Sequence, residues 1–248
     1  MGKISQKGHY QNMAAIYGMY GLVKAKGAAW TPVDTSLTDA NILLKWEEMR
    51  DSFKIYIKEK IGWGTKVNFR ELGMETVNPL MTRVKNEVMA STANANFKAD
   101  VVSKVKKIQG VRATPKMKME ADTPDVPTDD SVDQISAAQT GIDDKLGNVG
   151  ELIALLGAEP LYTTQINELK VVNLGTWLDD LNDNNQAVTL QHGVMSTKRL
   201  ERNKSFYDEV SGGCVLASKL RNAFKSQYGG NSPQYHEVTK FKFVTPKL

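Results

Sequence analysis

From Gln165 to Tyr207 the chain holds a helical hydrophobic period for some forty residues, and an element of that length dictates much of what can be built around it. Ile166, Leu169, Val172, Trp177, Leu181, Val188, Met195 and Leu200 are its candidate core positions, and no proline interrupts them. At a rise of about 1.5 Å per residue such a helix is on the order of 60 Å long, so the expected architecture is an extended hairpin or coiled-coil-like bundle. Asn184 and Asn185 fall where the seam between Leu181 and Val188 wants an apolar side chain. Two readings stand: a buried, register-setting asparagine, or a locally wet seam.

Other segments repeat the pattern at ordinary length. Ile42, Trp46, Met49, Phe53, Tyr56, Ile57 and Ile61 predict a helix that Ser36 or Thr38 caps and that Gly62 closes, followed by a loop through Trp63 and Gly64. Val77, Leu80, Met81, Val84, Val88 and Met89 predict a helix over 75–90, with Pro79 tolerated in its first turn. Phe97, Val101, Val105 and Ile108 mark the next, stopped by Gly110. Ile135, Ala138, Ile142, Leu146, Val149, Ile153 and Leu156 predict a helix over 133–156, and a last one runs from Cys214 to Tyr228 before Gly229. Ser232 and Pro233 form a cap and first-position pair for one more helical turn, and Lys240–Val244 alternates charged and apolar residues, placing Phe241 and Phe243 on one side of a strand-like tail.

The fold class is therefore all-α, in two helical blocks. The expected organisation is a Gly- and Tyr-rich segment over 1–35 with at most a short helix around Gln11–Val23, a helical block over 36–110, a linker over 111–132, a long-helix block over 133–228 and a tail over 229–248. The linker reading rests on Pro115, Pro124 and Pro127 amid few large apolar residues. Charge follows the same division: residues 1–110 carry 17 Lys+Arg against 10 Asp+Glu, and residues 111–150 carry 4 against 8. Such segregation lets a basic surface meet an acidic one, or simply reflects solvated faces.

His9, His192 and His236 stand alone in their segments without a partner at metal-ligand spacing, and the single cysteine, Cys214, excludes a disulfide framework and multi-cysteine metal sites. Asp179, Asp180 and Asp183 lack the turn glycine and closing glutamate of a calcium loop. Gly62-Trp-Gly64-Thr-Lys66 lacks phosphate-loop spacing and reads as a helix-ending turn. Glu47 with Glu48, and Asp143 with Asp144, are consecutive and so point about 100° apart on a helix. Cys214 has apolar neighbours, Val215 and Leu216, and no nearby histidine, which favours packing over nucleophilic chemistry. Lys104, Lys106, Lys107, Arg112, Lys116 and Lys118 form a basic cluster without interleaved aromatics or a nucleic-acid motif. No apolar run of about 18 residues occurs, the N-terminus develops no signal-peptide core, and Gln6 stands where a myristoylation motif needs Ser or Thr.

The segments KIQGVRA, ISAAQTGIDDKLGNVGELIALL, LYTTQINELKVVNLGTWLDDL and KRLERNKSFYDE, and the ending AFKSQYGGNSPQYHEVTKFKF, span about residues 105–243. In order and spacing they resemble a family of uncharacterised bacterial helical-bundle proteins with no assigned activity. The resemblance implies a helical architecture and transfers no catalytic residue.

These readings lead to a non-enzymatic structural or scaffolding protein of the cytoplasm, without cofactor or metal, that self-associates through helical and terminal segments as a homo-oligomer. The alternative is a helical binding module for a protein partner or an anionic surface, with nucleic acid less favoured. Lys104, Lys106 and Lys107 on the basic block, and Tyr235, Phe241 and Phe243 in the tail, are the candidate interaction residues.

Overall fold

In the computed structural model, residues 6–111 and 141–245 are described. They form eight α-helices, α1 (Gln6–Lys26), α2 (Asp39–Glu75), α3 (Val77–Ala90), α4 (Ala95–Ile108), α5 (Ile142–Ala158), α6 (Val171–Tyr207), α7 (Gly213–Tyr228) and α8 (Pro233–Thr239), with short 3-10 turns at 27–29, 35–37 and 167–169. The described residues contain no strand, so the all-α class stands. The linker expected over 111–132 and the start of the helix expected at 133 lie, apart from Val111, outside the described residues.

The chain divides into two compact units that do not follow the sequential blocks expected from charge and proline content. Residues 1–65 and 189–248 make one unit, and residues 66–188 make the other. The long helices α2 and α6 therefore each have residues in both.

The second unit is built from α3, α4, α5, the end of α2 and the start of α6. Met81, Val84 and Val88 of α3 share a core with Val101, Val105 and Ile108 of α4, Val149 and Leu152 of α5, and Leu174 and Leu181 of α6. Asn94 caps α4 by accepting from the Phe97 N–H at 2.8 Å. Gly110 adopts φ +70°, the left-handed stop that the sequence predicts. The seam asparagines are half-buried, and Asn185 Nδ2 donates to Asp143 Oδ1 at 2.6 Å. That bond, to an exposed carboxylate, is the wet-seam arrangement.

The first unit corrects two expectations. Residues 6–26 form the full-length helix α1 rather than at most a short one around Gln11–Val23, and it buries Ile16, Met19 and Val23 against Met49 and Phe53 of α2, Phe206 of α6 and Leu220 and Phe224 of α7. Its period is hard to read because buried positions also include His9 and Asn12, at 1% and 0% exposure, and the glycines Gly18 and Gly21 interrupt the apolar stripe. Gly27, at φ +52°, ends the helix. Trp30 then stacks near Phe224 with centroids 4.6 Å apart and donates Nε1–H to Leu37 O at 2.8 Å.

Nor does α2 stop at Gly62. It continues through Trp63 and Gly64 to Glu75, because neither glycine takes the positive φ of a stop and tertiary contacts hold the segment. Gln191 of α6 lies against Gly62, where an added Cβ would come within 3.3 Å of its Nε2, and the same amide donates to Glu59 Oε2 at 2.7 Å. Trp63 meets His192 edge-on at 5.9 Å. Each glycine inside a helix costs about 1 kcal/mol relative to alanine, a deficit that burial of one large side chain offsets. The helix expected from Gln165 begins only at Val171, so Ile166 lies outside it; on α6, Leu181 and Val188 are buried as the period predicts, but Val172 and Leu200 are exposed, as is Ile166.

Candidate functional site

The basic cluster lies on α4, whose stripe of Val101, Val105 and Ile108 faces the core and leaves the lysines outward. Lys104 Nζ is ion-paired with Glu151 of α5, and that pairing holds the Glu151 carboxyl below the usual carboxylate range. Its charge is thus matched within the chain. Lys106 is exposed and Lys107 half-buried, both in the last turn of α4, where cations suit the helix dipole. Arg112, Lys116 and Lys118 lie outside the described residues.

The tail is seated on its own unit. The alternation placed Phe241 and Phe243 on one side, and that side faces the core made by α1 and α7. Phe241 sits on Gly18 so closely that a Cβ added there would lie 2.1 Å from the ring. Asn12 of α1 then pairs with the tail backbone in both directions: its Nδ2 donates to Val244 O at 2.8 Å, and the Val244 N–H donates to its Oδ1 at 2.8 Å. This is the bonding a strand neighbour would supply, delivered by one buried amide. Arg221 of α7 adds a hydrogen bond from Nη2 to the Phe241 carbonyl, and its guanidinium lies 5.5 Å from the Phe243 ring centre. Upstream, Ser232 caps α8 by accepting from the Tyr235 N–H at 3.1 Å, and Tyr235 packs against the same core. The tail residues expected to pair with a neighbour are therefore taken up within the chain.

Docking of the tail closes a cleft of about 470 Å³ between α7, α8 and residues 242–245. Cys214, Ser218 and Arg221 line it at four- and three-residue steps along one face of α7, Tyr235 and Thr239 face it one turn apart on α8, and Lys242 completes it from the tail. Among the described residues no carboxylate lines it. Cys214 Sγ lies 3.8 Å from Asn12 Nδ2, which also reaches the Tyr207 hydroxyl at 3.3 Å. Burial pushes the Cys214 thiol up to about 11, although Arg221 pulls the other way. Burial, and then Cys214, hold the Tyr207 phenol above its ordinary range, with the Asn12 hydrogen bond opposing. Both groups stay protonated at neutral pH, so neither is prepared as a nucleophile.

Reasoning from sequence identified Cys214 only as a packing residue. Its four- and three-residue spacing with Ser218 and Arg221 was the available signal, but Lys242, Tyr235 and Thr239 join it only through tertiary packing. The other polar candidates are placed differently. His9 is enclosed by the rings of Phe53, Phe206 and Tyr207 at centroid distances of 5.7, 5.1 and 5.8 Å. Asp179, Asp180 and Asp183 are exposed on continuous helix. Among the described residues no group of three His, Cys, Asp or Glu side chains is placed to hold a metal ion. Arg202 of α6 is buried without a carboxylate partner; its guanidinium stacks 4.1 Å from the centre of the Tyr56 ring and donates to Asn203 Oδ1, and desolvation lowers its pKa.

No family model matches the chain, and neither a curated protein nor a solved structure matches it.

Proposed function

We propose that the protein is a structural element that self-associates through the outer faces of its long helices and works in a reducing compartment such as the cytoplasm. One observation carries the reading: in the first unit each long helix carries a pair of exposed apolar side chains on the side away from the core. On α2, Leu44 and Ile55 are exposed and eleven residues apart, about three turns, so they share a face opposite Ile42, Met49 and Phe53, which are buried. On α6, Leu190 and Val194 are exposed one turn apart, opposite the buried Phe206. Single exposed apolar residues are ordinary, whereas repeats along one helical face are the pattern that helix association uses. A stable association buries roughly 1,200–2,000 Å² in total.

Because Phe241 and Phe243 are engaged within the chain, the self-association first expected of the tail is reassigned to these helix faces. Among the described residues no helix is long and apolar enough to cross a membrane. The free Cys214 fits a reducing compartment.

Light scattering coupled to size exclusion tests the reading. The expected mass at tens of micromolar is a multiple of 27.5 kDa, returning to the monomer value when Leu190 and Val194 are both replaced by Glu. A wild-type chain that stays monodisperse and monomeric across that range refutes it.

A further inference from the structure

We propose that the cleft between α7, α8 and the tail binds a small phosphate ester of a hydroxylated molecule, a sugar phosphate in chemical class, and that the docked tail completes the site. The proposal is independent of self-association, since the cleft is formed within one unit of one chain.

Arg221 and Lys242 both line the cleft, no carboxylate among the described residues does, and neither cation forms an ion pair with a described carboxylate. Two cations match the charge of about −1.5 to −2 that a phosphate ester carries near neutral pH better than they match a single carboxylate. Arg221 uses one N–H on the Phe241 carbonyl, and its buried Nε has no partner, so the guanidinium keeps donor capacity beyond holding the tail.

Ser218 Oγ donates to Cys214 O at 3.2 Å, and Thr239 Oγ1 donates to His236 O at 2.9 Å. With their protons directed into helical carbonyls, both oxygens present lone pairs to the cleft and call for a ligand that brings its own O–H donors. Tyr235 and Phe243 supply ring surface against which the C–H face of a sugar can lie. A volume of about 470 Å³ falls in the range of small-molecule sites and exceeds what inorganic phosphate alone would fill.

Lys242 and Phe243 belong to the tail, which Asn12 holds by Val244 from beneath. Asn12 does not line the cleft, so it acts as a positioning residue. Its replacement must weaken binding even though it touches no ligand.

Cys214, the chain's single cysteine, lines the cleft and reports on its occupancy. The rate of its alkylation by the uncharged reagent iodoacetamide is measured on the full chain with glucose 6-phosphate, inorganic phosphate or glucose, each up to about 10 mM at constant ionic strength. Glucose 6-phosphate is expected to slow alkylation saturably, with inorganic phosphate acting only at higher concentration and glucose leaving the rate unchanged. Lys242→Gln, an exposed position, and Asn12→Ala are each expected to raise the half-protecting concentration about tenfold or more. Arg221→Met is the stronger variant, and if loss of its hold on Phe241 prevents folding, Lys242→Gln carries the test. Protection by none of the probes, equal protection by glucose and glucose 6-phosphate, or full protection retained in Lys242→Gln would overturn the proposal.

Discussion

Replacing Asn12 by Ala isolates the contact that holds the tail. The side chain is fully buried and makes two backbone hydrogen bonds to Val244, each at 2.8 Å. Each such bond contributes about 0.5–1.5 kcal/mol net, and leaving the Val244 N–H and carbonyl without partners in a partly buried place adds a desolvation penalty. The gross local cost is therefore about 2–4 kcal/mol. It has a ceiling, however. Once the amide is gone the tail can lift, its backbone regains water, and the loss cannot exceed the free energy with which residues 241–245 dock. The assay is hydrogen exchange of the Val244 amide together with thermal unfolding. Exchange protection at Val244 is expected to be lost, and the midpoint of unfolding to fall by about 4–16 °C at 2–4 °C per kcal/mol. An Asn12→Asp variant sharpens the test, because a carboxylate accepts from the Val244 N–H but cannot donate to its carbonyl. Burial beside that carbonyl raises the pKa of the new carboxyl in the folded state, so the protonated form is the one that docks. Its contribution to stability is present below the unfolded pKa and is lost as pH rises through the folded pKa. The variant should therefore be closest to wild type in acid. Unchanged Val244 protection in Asn12→Ala, with a midpoint within 1 °C or so of wild type, would refute the reasoning.

Two further outcomes follow from the same unit. Gly18→Val is expected to expel Phe241 and destabilise the chain by about 1–3 kcal/mol as an overpacked site, whereas the double variant with Phe241→Ala should recover part of that loss, read from chemical denaturation as a non-additive cycle. Asp34, whose carboxyl accepts from the Ser36 N–H at 2.9 Å and pairs with Lys219, titrates at about 2 because of Ser36 first and Lys219 second. A lowered folded pKa means that its contribution is present above the ordinary value of 3.8 and is lost as pH falls towards 2, and Lys219→Gln should move the midpoint up only part of the way when followed by NMR.

Local chemistry was legible wherever neighbours in sequence decide the outcome. The stripes of α3, α4 and α5, the stops at Gly110 and Gly229, at φ +70° and +88°, and the Ser232–Pro233 start of α8 follow from period, capping and glycine alone. The same reasoning misplaced the end of α2, because a helix-breaking pair of glycines is a weak local preference and the contacts that overrule it come from Gln191 and His192, more than a hundred residues away. It shortened α1 to a helix around Gln11–Val23, where the structure runs from Gln6 to Lys26, for the converse reason, since buried His9 and Asn12 look polar until the rings and backbone they meet are known.

The helix α6 shows how period alone misleads. Val172 and Leu200 were assigned to the core with Leu181 and Val188, yet they are exposed, because a helix contacting neighbours on one side cannot bury residues spread around its circumference. The alternation of Phe241 and Phe243 in the sequence settled that they share a side. Only the tertiary structure decided that this side rests on Gly18 and Asn12, and so that Lys242 comes to stand beside Arg221 over Cys214. Periodicity, caps and positive-φ glycines are properties of a few adjacent residues, and they specify the helices. Which faces meet, and what cleft they leave, depends on contacts between residues up to 232 positions apart, such as Asn12 and Val244, for which no local stretch of chain carries a signal.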